Sequence, residues 1–145
     1  MSGLFSAMDV SASALTAQRR RLELLVTNLA NAQTTKTPEG GPYRRKDVVF
    51  ESQSVEPFWK VLAEAEQEPL EGVRVKEVIT DTKPPVLLYQ PNHPDADPQG
   101  YVAFPNVNPM EEMANVMAAR RSYEANVRAF EAIRELVRRS LEIAR

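Results

Sequence analysis

Few residues in this chain have the types and spacing to do chemistry. His93, Asp95 and Asp97 stand at alternate positions, and an imidazole with two carboxylates is a competent metal-donor set. Pro94 and Pro98 bracket the aspartates, and His93 is the only histidine. This spacing fits a turn in which aspartate side chains accept hydrogen bonds from nearby backbone N–H groups, so no metal is expected. Glu64, Glu66 and Glu68 form a second acidic group. They share a face only in an extended segment, and nothing beside them suggests a pocket that would set an acid and a base apart in pKa. A solvated acidic loop accounts for them more simply than a hydrolase does. With a single histidine and no cysteine, the usual nucleophilic triads have little to work with. Gly40-Gly41 is too short and too closely flanked by proline to cradle a phosphate. The expectation is a chain that is not an enzyme, with no cofactor and no small-molecule substrate.

Two basic runs, Arg19–Arg21 and Arg44–Lys46, raise the possibility of nucleic acid or a membrane surface. Both are short and lack an aromatic stacking platform. Overall, 18 Lys+Arg stand against 20 Asp+Glu, a net charge of −2, which gives no global field to steer a polyanion. Solvated faces or salt bridges between subunits are the expected roles, and no nucleic acid is expected as a partner. No apolar run approaches the roughly 20 residues needed to span a bilayer. Residues Met1 to Val10 have no basic leader region, and Asp9 interrupts their apolar stretch, so no cleaved signal peptide is expected.

The elements that position these residues follow from the prolines. All 11 lie between Pro38 and Pro109, with four of the five glycines in the same interval. Proline costs about 3 kcal/mol in a helix interior and glycine about 1, so residues 4–37 and 110–145, which have neither, are free to be helical. The expected organisation is an N-terminal helix within 1–35 and a C-terminal helix within 107–145, which together form one discontinuous assembly domain. A small irregular, β-rich middle occupies 36–106. The fold class is mainly α: long terminal helices packed as an antiparallel, coiled-coil-like pair, with a small antiparallel middle region.

In the first helix, Leu4, Met8, Leu15, Leu22, Leu25 and Leu29 make a heptad-like stripe, with Ser11 and Gln18 as polar members of the seam. The helix should stop near Asn31–Thr34. For the last helix, Asn108 is the expected N-cap, Pro109 the first helical residue, and Glu111 and Glu112 suit the positive end of the dipole. Met113, Val116, Tyr123, Val127, Phe130, Val137 and Leu141 are expected on one face, with Glu124–Arg128 and Glu135–Arg139 as i,i+4 pairs. Strands are expected at Tyr43–Phe50, Val73–Ile79, Val86–Tyr89 and Tyr101–Phe104. The acidic stretch 51–71 between the first two has no clear reading. Two long helices with so small a middle leave much apolar perimeter uncovered, and neighbouring copies are the simplest cover. On pattern alone, an ordinary helical hairpin serving as a cytoplasmic adaptor fits equally well.

Three stretches separate these readings. Asn28-Leu29-Ala30-Asn31-Ala32 with Thr34-Thr35, preceded by Ser13-Ala14-Leu15 and Gln18-Arg19, resembles the N-terminal signature of the flagellar rod and hook proteins. Asn106-Val107-Asn108, Glu112-Met113 and Arg121-Ser122-Tyr123-Glu124-Ala125-Asn126-Val127 resemble that family's closing helix. Gly40-Gly41-Pro42-Tyr43-Arg44-Arg45-Lys46 and His93-Pro94-Asp95-Ala96-Asp97, running into Gly100-Tyr101-Val102, are similar to the proximal rod members. Gln33 departs from the signature, where asparagine is commoner.

The resemblance implies a structural subunit of the bacterial flagellar basal-body rod, self-assembling through its terminal helices into a hollow, torque-transmitting shaft. It implies export through the flagellar export apparatus without a cleaved leader, and a periplasmic location in the basal body. Implied partners are other copies, other rod proteins, the basal-body adaptor and the membrane-supramembrane ring. The residues expected to carry assembly are Leu15, Leu22, Leu25, Asn28, Leu29, Asn31, Met113, Tyr123, Asn126, Val127, Phe130 and Val137. Asn28 and Asn31 are expected either to satisfy polar groups near the helix end, fixing register, or simply to terminate the helix.

Overall fold

The proline-free ends are helical and the proline-rich centre is extended. In the computed structural model, which describes residues 2–55 and 70–143, helix α1 spans Ser2–Ala30 and helix α2 spans Pro109–Ile143. Between them lie β1 (Lys46–Val55), β2 (Leu70–Thr80), β3 (Val86–Tyr89) and β4 (Tyr101–Phe104). The strands form two separate antiparallel ribbons, β1–β2 and β3–β4. Glu64, Glu66 and Glu68, with most of the acidic stretch 51–71, lie outside the described residues.

α1 stops where expected. Asn31 N–H closes the last α-type bond to Thr27 O at 3.0 Å, and Ala32 N–H tightens to Leu29 O at 3.3 Å, as helix ends commonly do. At the start of α2, Asn108 Oδ1 accepts the Met110 N–H at 3.0 Å, and Asn108 O accepts the Glu112 N–H at 3.0 Å. Asn108 is thus the N-cap and Pro109 the first helical residue, where its missing N–H costs nothing.

The helices run antiparallel, with the exit of α1 beside the entrance of α2, and β1–β2 lies against α1. The covered side of α2 runs through Glu112, Val116, Ala119, Tyr123, Asn126, Phe130, Ile133 and Val137, alternating steps of four and three. Ala119 is fully buried, facing an α1 surface that buries Ala17, Leu24 and Leu25. Met113 was expected on this face but is 44 % exposed; one residue earlier, Glu112 takes the seam position and Met113 turns 100° away. Leu141 is likewise half exposed. Glu124 pairs with Arg120 at 2.8 Å rather than with Arg128, while the expected Glu135–Arg139 pair forms at 3.0 Å.

β3 and β4 have the expected bounds. β1 begins three residues later than expected, because the Tyr43 N–H bonds back to Thr34 O at 3.0 Å and holds 43–45 as a loop on the helix exit. The β1–β2 ladder runs from Lys46↔Thr80 to Val55↔Leu70, with a bulge at Val49/Phe50 where Glu77 and Val75 are the opposing partners and Lys76 is the extra residue. The Val73 N–H donates to Ser13 Oγ at 3.1 Å, fastening β2 to α1. Gly100 sits at φ +85°, and a Cβ there would fall 2.8 Å from Tyr89 Cε2 and 3.2 Å from Pro91 Cβ, so this turn requires glycine.

Candidate functional site

Near the junction of the helices and the β-rich middle, polar side chains from three parts of the chain meet in a buried cluster. Asn28, in the last turn of α1, has 0 % exposure and four hydrogen bonds. Its Nδ2 donates to Lys46 O at 2.8 Å and to Glu112 Oε2 at 3.2 Å. Its Oδ1 accepts the Lys46 N–H at 2.9 Å and the Tyr43 hydroxyl at 2.9 Å. The carboxamide therefore pairs with the Lys46 peptide as a neighbouring strand would. Its full donor and acceptor capacity is used, as a buried amide requires.

Glu112, 1 % exposed, is the charged member. Its Oε1 accepts Arg45 Nε at 2.6 Å, and Arg45 Nη1 reaches Asp47 Oδ2 at 3.0 Å. Both carboxylate oxygens are thus engaged, one by a guanidinium and one by an amide, which is how a protein tolerates a buried charge. Burial opposes the Arg45 charge, but the hydrogen bonds to Glu112 and Asp47 outweigh it and hold the guanidinium above its ordinary pKa. Burial, followed by the Glu112 charge, raises the Tyr43 phenol, with Arg45 opposing. The arrangement is a joint between the two helices and the root of β1.

Asn31 is different. Its Nδ2 donates to Thr27 O at 2.9 Å, and its Oδ1 accepts the Thr34 hydroxyl at 3.1 Å. It closes the helix locally, whereas Asn28 links distant segments. Of the remaining proposed assembly residues, Leu25 is 2 % exposed and Leu15, Leu22, Leu29, Tyr123, Asn126, Val127, Phe130 and Val137 are half-buried. Met113 stands apart from them on the outer side of α2. The sequence alone does not single out Glu112 and Tyr43 as partners of Asn28, or Arg45 as the partner of Glu112. The usable signal was the step pattern of α2, which counts back from Val116 and Ala119 to Glu112.

Among the described residues, those of the 93–97 turn are occupied structurally. Asp97 Oδ1 accepts the Gln99 and Tyr101 N–H groups at 2.9 and 2.8 Å, and His93 Nδ1 accepts the Asp95 N–H at 3.1 Å. Asp95 Oδ2 accepts the Thr35 hydroxyl at 2.7 Å, pinning this turn to the exit of α1. Among the described residues, no three His, Cys, Asp or Glu side chains come together to hold a metal ion. Arg19 and Arg20 both pair with Glu23, at 3.8 and 3.0 Å. No helix of the described residues is long and apolar enough to cross a membrane.

Comparison with known proteins agrees with this architecture. Residues 99–143 match the family described as the flagellar basal body rod FlgEFG protein C-terminal region. Over 148 aligned residues, covering 97 % of both chains, the sequence is 40 % identical to the flagellar basal-body rod protein FlgC of Borreliella burgdorferi. It is 39 % identical to that of Escherichia coli, covering 97 % of both, and 40 % identical to that of Bacillus subtilis, covering 97 % and 98 %. Near-full-length identity at this level, on a chain whose two long helices close on a buried polar joint, shows the family: the chain belongs to the flagellar basal-body rod proteins of the FlgC type and is a structural subunit of the rod.

Proposed function

We propose that the subunit assembles with further copies of itself and with other rod proteins through its terminal helices, building a hollow, torque-transmitting shaft in the periplasm. In this reading it is delivered by the flagellar export apparatus without a cleaved leader, and it meets the basal-body adaptor and the membrane-supramembrane ring. The terminal helices act as the assembly domain and residues 36–106 as an appended middle. Leu15, Leu22, Leu25, Leu29, Tyr123, Val127, Phe130 and Val137 hold each subunit's helix pair together, while Met113 and the outer faces meet neighbours. The subunit has no catalytic role.

One observation carries this reading. The accessible surface is 10423 Å² for a 16.3 kDa chain, against roughly 7,500 Å² expected of a globular monomer of that mass. The excess is larger than the roughly 1,600 Å² buried in a standard protein interface. Large apolar side chains remain exposed on both helices and on β3. Fractionating cells that express the tagged chain tests the reading: a rod subunit sediments with purified basal bodies. A chain that stays wholly in the soluble fraction bound to a single partner would instead be an adaptor.

A further inference from the structure

Two apolar features lie at opposite ends of the molecule. At one end, the β3–β4 ribbon, the exit of α1 and the start of α2 border a groove of about 560 Å³, walled by Val86, Leu88, Phe104, Val107 and Pro109. The ladder sets Val86 opposite Phe104 and Leu88 opposite Val102, so these four share one face of the ribbon. Val102 and Val107 are buried, yet Val86 and Leu88 are each 43 % exposed, so the groove is formed but not filled. Its polar members, Gln33, Gln90 and His93, include no carboxylate or guanidinium. A ribbon of two four-residue strands is marginal on its own and gains from further cover.

At the other end, α2 has 35 residues against 29 in α1. Its last turns carry Leu136, Leu141 and Ile143, all at least half exposed, with Ile143 at 87 %. The charges between them are already paired, Arg138 with Glu142 and Arg139 with Glu135. Over residues 135–143 two arginines and two glutamates therefore balance, and this stretch presents its apolar side chains between paired charges, with Arg134 just before it and Arg145 just after it in the sequence. Along the helix it stands roughly 50 Å from the groove, at about 1.5 Å per residue, so groove and tip cannot meet within one molecule.

We propose that the tip of α2 from one copy seats in the groove of the next. Groove and tip are different surfaces, so the contact is heterologous and propagates from copy to copy instead of stopping at a dimer. This rests on the self-assembly reading above and names the faces that would carry it. A neutral apolar groove suits a tip whose charges are internally paired. The excess surface of each subunit is enough for one such contact at each end.

The test uses two full-length variants, each altered at exposed positions: a groove variant, Val86→Asp with Leu88→Asp, and a tip variant, Leu141→Asp with Ile143→Asp. Circular dichroism first checks that both keep their helices, and analytical ultracentrifugation then reads assembly. Wild type is expected to form species that lengthen with concentration, and each variant alone to lose them. An equimolar mixture leaves one intact groove and one intact tip, so it is expected to yield heterodimers and nothing longer. Polymer formation by either variant at the wild-type level, a discrete homodimer of either, or the absence of heterodimers would overturn the proposal while leaving self-assembly standing. A wild-type chain that stays monomeric at every concentration would remove the self-assembly reading itself, and this contact with it.

Discussion

Asn28 and Glu112, 84 positions apart in sequence, hydrogen-bond through Nδ2 and Oε2 at 3.2 Å, and both side chains are buried. The contact joins the last turn of α1 to the first turn of α2. Because Asn28 also pairs with the Lys46 peptide, and Glu112 with Arg45, it draws in the root of β1. The helix pair and the longer β-ribbon therefore share one joint.

Breaking that joint should be costly. Glu112→Leu leaves Arg45 without its buried counter-charge and Asn28 without one acceptor. Loss of one partner from a buried pair typically costs about 3–5 kcal/mol; the partial exposure of Arg45 places the expected loss at the lower end, near 3. Asn28→Asp should be worse than Asn28→Ala, because it sets a second carboxylate against Glu112 and discards both Nδ2 donations. Urea denaturation followed by circular dichroism measures all three.

Tyr43 gives the joint an alkaline limit. Its pKa is raised above the ordinary 10.0, so the folded state retains the phenolic proton after the unfolded chain has lost it. Its contribution to stability is thus complete below pH 10 and falls as pH rises from there through the raised folded value. Tyr43→Phe should lose about 0.5–1.5 kcal/mol at neutral pH, from the hydrogen bond to Asn28, and show a shallower decline above pH 10. Thermal melts of both proteins from pH 7 to 11 would show it; parallel declines would refute it.

Adjacent residues on α1 should behave oppositely. Leu25 is enclosed and Val26 is 53 % exposed. Leu25→Ala should cost about 2–5 kcal/mol by leaving a cavity, while Val26→Ala should stay within about 0.5 kcal/mol. Equal effects in chemical denaturation would mean that α1 is rotated from the orientation described.

Gly100→Ala should loosen the β3–β4 turn. The added methyl would meet Tyr89 and Pro91 at a φ of +85°, with an expected cost of about 1–3 kcal/mol. Tyr89 and Tyr101 stack edge to face with centroids 5.4 Å apart, so loss of near-ultraviolet circular dichroism ahead of global unfolding is the specific signature.

Gln18 offers a gain. Its Oε1 is buried without a hydrogen-bond partner among the described residues. An unsatisfied buried acceptor costs about 1–3 kcal/mol, so Gln18→Met, of similar length, should raise the melting temperature or leave it unchanged. A fall would show that the amide earns its place through a contact made elsewhere.

Much of this molecule is local and therefore legible in sequence. Proline and glycine are costly in helix interiors, so the placement of all 11 prolines and four of the five glycines within 38–109 marks where both long helices stop and start; Asn108-Pro109 is a helix start because a side-chain oxygen two residues from an N–H is a matter of chain geometry alone. The short strands Val86–Tyr89 and Tyr101–Phe104 were equally readable, since turn residues bound them on both sides. What only the tertiary structure decided is which polar residues are buried and with whom. Helical period read from the sequence puts Met113 on the seam, whereas in the fold Glu112 takes that place and Met113 is exposed. Glu112 is inside because Arg45 and Asn28 arrive from distant parts of the chain to satisfy its carboxylate. Asn28 and Asn31 look alike in sequence, yet one knits three segments and the other merely ends a helix, because only Asn28 faces the strand root. A buried charge is tolerable only beside its partners, and partnership across 84 residues is a property of the folded chain that no local pattern encodes.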